Sequence, residues 1–269
     1  MAKAKPSIVK EVGGLFDVAN KVAFVPGGSG GIGEAICWGL AANGARVVIA
    51  GRSREKAERV AKQITQAGYE AIGISVDVKN VAEIRDGADH VVERYGSLDV
   101  LVNCAGIQRE QALLEVTEDA YDEVYQVNLK GAMFLGQACA RHQVKAKGGG
   151  CKQVHILSVR SQLGLRGRGY SAYVSSKSGL VGLVKQHAME LSPHKINVNG
   201  VAPTFVETDM VKQMLSDQEF RSTLVKRIPL GRIAEPIDLV GPALFFSSRA
   251  SDFITGQILY VDGGITASQ

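Results

Sequence analysis

A chain of 269 residues, 45% hydrophobic and 22% charged, has the length and apolar content for one large α/β domain spanning residues 1–269. Its formal net charge of +4 is small, and no basic tract or aromatic-interleaved patch points to nucleic acid. No apolar run approaches the ~18 residues of a membrane span, and the N-terminus shows no uninterrupted apolar stretch of the signal-peptide kind.

The four cysteines form no CxxC pair and the five histidines are scattered, so no metal site is expected. Reduced thiols in a cytoplasmic protein are the expectation. Residues 1–15 are read as a leader, with the stretch to Asn20 outside any sheet.

From there, β-branched runs alternate with amphipathic stretches, the pattern of βαβ units and a parallel sheet. The strands are expected at Val22–Val25, Arg46–Ala50, Ala71–Val76, Leu98–Asn103, Gln153–Ser158, Ile196–Val201 and Ile258–Val261. Between them, helices are expected over Ile32–Asn43, Ser53–Gln66, Val81–Tyr95, Ala120–Arg141 and Ser171–Leu191. The stretch Lys145–Lys152 (KAKGGGCK) reads as a surface loop. No internal repeat or domain boundary interrupts the series.

Residues 26–33, PGGSGGIG, follow the first strand and open the first helix. Glycine there lets the backbone turn and lets a phosphate approach the free N–H groups of a helix N-terminus. Two spacings fit: Gly28, Gly30 and Gly33, or Gly27, Gly31 and Gly33. At the end of the second strand, where an NAD protein places a carboxylate for the ribose hydroxyls, the chain has Gly51-Arg52-Ser53. An arginine there suits a 2′-phosphate, which predicts NADP ahead of NAD. Asp77 could accept from the adenine amino group.

The glycine turn, NCAG at 103–106, Asn128, YVSSK at 173–177 and VDGG at 261–264 together resemble the short-chain dehydrogenase/reductase family, from about Phe16 to the end. The resemblance implies a Rossmann-type doubly wound sheet of seven parallel strands with helices on both faces, in a homotetramer. It favours Gly27, Gly31 and Gly33 as the glycine set. It further implies cofactor contacts at Ser29, Ile32, Arg52, Ser53, Asp77, Val78, Asn103, Ala105, Gly106, Pro203, Val206 and Thr208, besides Tyr173 and Lys177. GRS at 51–53 and NCAGIQRE at 103–110 are similar to the gluconate 5-dehydrogenases of that family and, less so, to the 2-deoxygluconate 3-dehydrogenases. Pro26, Cys104, Thr204 and a longer loop before the tyrosine depart from the family pattern.

Tyr173 and Lys177 are four residues apart and share one helix face. A lysine ammonium and a positive nicotinamide ring would lower the tyrosine pKa, so that its phenolate takes the alcohol proton in oxidation and its phenol returns it in reduction. The resemblance gives Lys177 the nicotinamide ribose and makes Asn128 the anchor of a relay water. The family serine aligns by the strand end with Ser158, fifteen residues before Tyr173, which requires two extra residues in the loop Gln162–Gly169; Ser161 is the rival.

Arg109, Arg160, Arg166 and Arg168 fall near the expected mouth of the site. Arg109 and Arg160, with Ser158 and Tyr173, are the expected substrate contacts, and Gln213 onward is expected to lie over the substrate. The expected substrate is a small anionic molecule, a sugar acid such as gluconate or 5-ketogluconate. The alternatives are 3-oxoacyl-thioester reduction, another polyol or alcohol, and a nucleotide-binding regulator on an inactive scaffold.

Overall fold

The computed structural model describes residues 12–146 and 150–268. Seven strands form one sheet in the order β3-β2-β1-β4-β5-β6-β7, every neighbouring pair parallel. They are β1 Val22–Pro26, β2 Arg46–Gly51, β3 Ala71–Ser75, β4 Val100–Asn103, β5 Cys151–Ile156, β6 Ile196–Pro203 and β7 Ile258–Val261. The expected seven-stranded Rossmann-type sheet is therefore present.

Alternation along β1 explains why the strand is apolar throughout. Ala23 and Val25 pack with helices α1 (Gly31–Ala42) and α2 (Arg54–Gln66), whereas Val22 and Phe24 pack with α3 (Val81–Tyr95) on the opposite face. A parallel sheet covered on both faces needs this double burial. Next to β5 and β6, a third apolar cluster is completed by Leu180, Val184 and Ala188 of the long C-terminal-half helix Ser171–Leu191.

Several boundaries differ from the sequence reading. The helix expected over Ala120–Arg141 is α4 (Glu118–Tyr125), a wide π-type turn (Gln126–Lys130), then α5 (Gly131–Gln143). The Gly131 N–H donates to the Gln126 carbonyl, one residue further back than in an α-helix. β5 begins at Cys151, inside the stretch read as a loop, and ends before Ser158. Lys152 is consequently not a solvating lysine. It is 2% exposed, and its ammonium donates to Asn197 Oδ1 (2.8 Å) and Asp252 Oδ1 (2.7 Å).

After α6 (Ser171–Leu191) come α7 (Asp209–Leu215), α8 (Gln218–Lys226) and α9 (Val240–Ser247), none of which the periodicity had marked. Residues 1–11, most of the expected leader, lie outside the described residues. From Val12 on, the segment is outside the sheet but packed: Val18 is fully buried, and the Phe16 ring sits 6.3 Å from that of Phe245.

Candidate active site

Strand order reverses between β1 and β4, and the carboxyl ends of the strands there open a crevice, where sheets of this kind bind ligands. On the β1 side lies the glycine turn. Gly27 has φ +78°, and a Cβ on it would meet the Ala105 backbone N at 2.5 Å. Gly31 has φ +54°, and a Cβ on Gly33 would meet the Gly27 carbonyl oxygen at 2.1 Å. Gly30 is extended and has open space around it. The backbone thus demands glycine at 27, 31 and 33, and makes no such demand at 30. Helix α1 starts at Gly31 without a side-chain cap, so its first N–H groups face outward for an anion.

The adjoining strand ends complete the cradle beside the glycine turn. Gly51 leaves Ser29 Oγ only 2.6 Å from where a Cβ would sit. Arg52 is exposed and has no salt-bridge partner among the described residues. Ser53 caps α2, its Oγ accepting from the Lys56 N–H at 3.2 Å, which leaves its O–H to donate outward. Asp77 at the end of β3 accepts from the Lys79 N–H, 2.9 Å, and Val78 beside it is buried. Asn103 shapes the NCAG loop, its Oδ1 accepting from the Ala105 N–H at 3.1 Å and its Nδ2 lying 3.3 Å from His155 Nδ1.

The crevice deepens between β4, β5 and β6. Ser158, Arg160, Tyr173 and Lys177 line it with Ile32, Gly106, Pro203, Val206 and Thr208. Tyr173 and Lys177 come from the first two turns of α6, and the Lys177 Nζ lies 5.8 Å from the Tyr173 ring centre. That ammonium donates to the Ile156 carbonyl, 2.8 Å, at the end of β5. Burial pushes Lys177 down to about 8, with the neighbouring Cys104 thiol acting weakly the other way.

Burial raises the Tyr173 pKa, while Ser158 hydrogen bonding and the charge of Arg160 pull it down. The ligand-free chain therefore keeps the phenol protonated, because desolvation outweighs the Ser158 bond and the Arg160 charge.

Ser158 and Ser161 are separated by geometry. Ser158 follows β5, is 7% exposed, and its Oγ accepts the Arg160 N–H at 3.1 Å. Ser161 donates to the Ser158 carbonyl (2.8 Å), lies 3.3 Å from the Tyr260 hydroxyl, and takes no part in lining the crevice.

Asn128 sits in the π-type turn, and its carboxamide makes three hydrogen bonds. Nδ2 donates to the Ile107 carbonyl (3.0 Å) and Ser176 Oγ (3.1 Å), and Oδ1 accepts the Ile107 N–H (2.9 Å).

The four arginines divide. Arg109 does not line the crevice: it reaches Glu123 of α4 at 2.8 Å and borders a separate small cleft, because the helix behind the NCAG loop offers it a carboxylate. Arg168 is paired with Glu110 at 2.6 Å, and Arg166 is exposed. Only Arg160 enters the crevice. Sequence reasoning missed Gln108, Tyr170, Phe205, Met210, Val211 and Met214, which also line it. The one local signal was position: Met214 falls within the segment expected to cover the substrate, and Met210 and Val211 fall just before it.

Among the described residues no cluster of metal-ligating side chains occurs, and no helix is long and apolar enough to cross a membrane.

A parallel sheet of this order, a glycine turn at its switch point and a Tyr–Lys pair beside a strand-end serine define an oxidoreductase of dinucleotide-binding type. The chain belongs to the short-chain dehydrogenase/reductase family and acts on CH–OH groups. A family model described as enoyl-(acyl carrier protein) reductase matches residues 27–266. Gluconate 5-dehydrogenase of Gluconobacter oxydans (strain 621H) is 39% identical over 259 residues, 94% of this chain and 98% of the relative. The 5-keto-D-gluconate 5-reductase of Escherichia coli (strain K12) is 37% identical over 251 residues, 93% and 97% of the two chains. Among solved structures, a gluconate 5-dehydrogenase from Burkholderia cenocepacia J2315 in complex with NADP and tartrate superposes with a TM-score of 0.90 at 35% identity, covering 94% of this chain and 98% of that one.

Proposed function

We propose that the chain is an NADP-dependent enzyme interconverting a secondary alcohol and a ketone on a sugar acid, with gluconate and 5-ketogluconate the first choice. The observation that carries this reading is the convergence of Ser158, Tyr173 and Lys177 on one crevice beside the glycine turn. The nicotinamide, when bound, supplies or takes up the hydride.

The protein's own groups handle the proton and the geometry. The Ser158 hydroxyl holds the substrate oxygen and steadies its developing charge. Tyr173 takes the alcohol proton in oxidation and returns it in reduction. Lys177, tethered at the Ile156 carbonyl, keeps a positive charge near the phenol and holds the ribose. Asn128 pins the Ile107 loop to Ser176 and is the anchor of the relay water. Gly27, Ser29, Gly31, Ile32 and Gly33 hold the pyrophosphate, Arg52 and Ser53 the 2′-phosphate, and Asp77 and Val78 the adenine. Asn103, Ala105 and Gly106 bear on the ribose, and Pro203, Val206 and Thr208 on the carboxamide. A homotetramer in the cytoplasm belongs to the same reading on family resemblance, and sedimentation velocity tests the assembly.

NADP rests on Gly51, which supplies no carboxylate, and on Arg52, whose charge is free to pair. The relative solved with NADP supports it. A charge-assisted hydrogen bond contributes about 1.5–3 kcal/mol, or roughly tenfold to a hundredfold. Comparing kcat/KM for NADP and NAD should show NADP preferred, and Arg52→Ala should lower that preference by at least about tenfold. An NAD preference, or an unchanged ratio in the variant, would defeat the assignment.

A second reading, 3-oxoacyl-thioester reduction, is favoured by the apolar wall of Phe205, Met210, Val211 and Met214 and by the description of the matching family model. Side-by-side turnover of 5-ketogluconate and an acetoacetyl thioester decides between them.

A further inference from the structure

Resting on the sugar-acid reading above, we propose that Arg160 is the residue that grips the substrate carboxylate, and that the lengthened loop before Tyr173 seats it. Arg160 follows the strand-end serine by two positions and lines the crevice with Ser158 and Tyr173. It is only 4% exposed.

A guanidinium remains charged at any working pH and is costly to bury without an acid or a full set of acceptors. Arg160 has neither. No carboxylate within 4.0 Å pairs with it among the described residues, whereas Arg109 and Arg168 each have one. Its Nη1 alone is engaged, donating to the Gly164 carbonyl at 2.7 Å and the Leu163 carbonyl at 3.4 Å. Among the described residues Nε and Nη2 make no hydrogen bond, and neither is sealed from solvent. Those two nitrogens form the fork that takes a carboxylate through two parallel bonds.

The surroundings favour an incoming anion. The crevice lining contains two cations, Lys177 and Arg160, and neither Asp nor Glu. Burial, and next the charge of Arg227, make Arg160 less comfortable as a cation; a bound anion relieves both. The Phe205 ring, 5.9 Å from the guanidinium carbon, steadies one side.

The two carbonyls that hold Nη1 belong to the loop Gln162–Gly169, whose two extra residues were read from the sequence. Gln108 adds a second hint of an oxygen-rich ligand, because its Nε2 is buried without a partner beside the same crevice. The ligand class is a small carboxylate carrying a secondary hydroxyl or ketone. Its acid end lies on the Phe205 side, and the reacting carbon lies between Ser158 and Tyr173.

The test uses the full chain with NADPH. KM and kcat are measured for 5-ketogluconate and for fructose, an uncharged ketose of similar size, and gluconate binding to the enzyme–NADPH complex is followed by nucleotide fluorescence. Arg160→Gln should raise KM for the acid and weaken gluconate binding by roughly 30-fold or more, with a much smaller fall in kcat. The preference for acid over ketose should shrink by a similar factor, and Arg160→Lys should recover part of it, since it restores charge without the fork. Equal losses on acid and ketose, or unchanged gluconate binding, would overturn the assignment. Should Arg160→Gln not fold, Arg160→Lys decides by the same ratio, which must fall. A wild-type enzyme that uses the ketose as well as the acid refutes the sugar-acid reading. Gluconate binding that still depends on Arg160 would, in that case, uphold the anion site.

Discussion

Replacing Lys177 with methionine should stabilise the ligand-free protein while removing its activity. The ammonium is 4% exposed, and burial brings its pKa to about 8 from an ordinary 10.5. That difference corresponds to about 3 kcal/mol spent on holding the charge in place. Methionine fills a similar volume without charge and gives up the charge-assisted bond to the Ile156 carbonyl, worth about 1.5 kcal/mol or more. A net gain of up to about 1.5 kcal/mol remains at pH 7, or a Tm higher by up to roughly 6 °C for a chain of this size.

The pH dependence supplies the sign. Below pH 8 the lysine is protonated in both folded and unfolded chains, so the whole penalty is present. Between pH 8 and 10.5 the unfolded chain binds more protons, and the wild type gains stability relative to the variant. The advantage of Lys177→Met should therefore fade across that window. Urea unfolding of both proteins at pH 7, 8.5 and 10 measures the difference directly. A variant less stable at pH 7, or a difference that stays flat with pH, would refute the reasoning.

Tyr173→Phe removes the proton-transfer hydroxyl and little else; turnover should fall by at least about a hundredfold while NADPH titration remains near wild type. Ser158→Ala should be far more damaging to kcat than Ser161→Ala, since only the first hydroxyl faces the crevice; the reverse ranking in a kcat comparison would exchange their roles. Gly33→Ala places a Cβ 2.1 Å from the Gly27 carbonyl, an atom of the main chain that cannot swing aside. It should weaken NADPH binding in a fluorescence titration at least tenfold, roughly 1.4 kcal/mol or more.

What the sequence made legible was local. β1, β2 and β6 announce themselves as β-branched runs bounded by turns, and the Tyr173–Lys177 spacing needs only a helix to become a shared face. What it hid depended on distant partners. Lys152 reads as a loop residue because its acceptors, Asn197 and Asp252, are far along the chain. Helix α9 escaped notice because Leu244, Phe245 and Phe246 leave it apolar around much of its circumference, which blunts any 3.6-residue period. The π-type turn changes hydrogen bonding without changing residue type. At the site, the sequence singled out Arg109 and Arg160, and nothing local showed that Glu123 would claim the first and leave Arg160 in the crevice.

The strand order also constrains how the molecule comes into being. β1, β2 and β3 are consecutive in the chain and adjacent in the sheet, so residues 22–75 bring their own neighbours with them. β1 acquires its other neighbour only when Val100 reaches Ala23. The far half is slower still to close, since β5 cannot neutralise Lys152 until Asp252 exists, 100 residues later. Long-range pairings of this kind slow folding, because loop closure must precede the contacts that reward it. The nucleotide cradle waits on the same closure: Gly27 packs on Ala105, and the apolar cluster beneath α1 is completed by Leu239, Ala243 and Phe246. A C-terminally truncated chain would therefore lack residues that hold the glycine turn as well as part of the crevice that Tyr173 and Ser158 share.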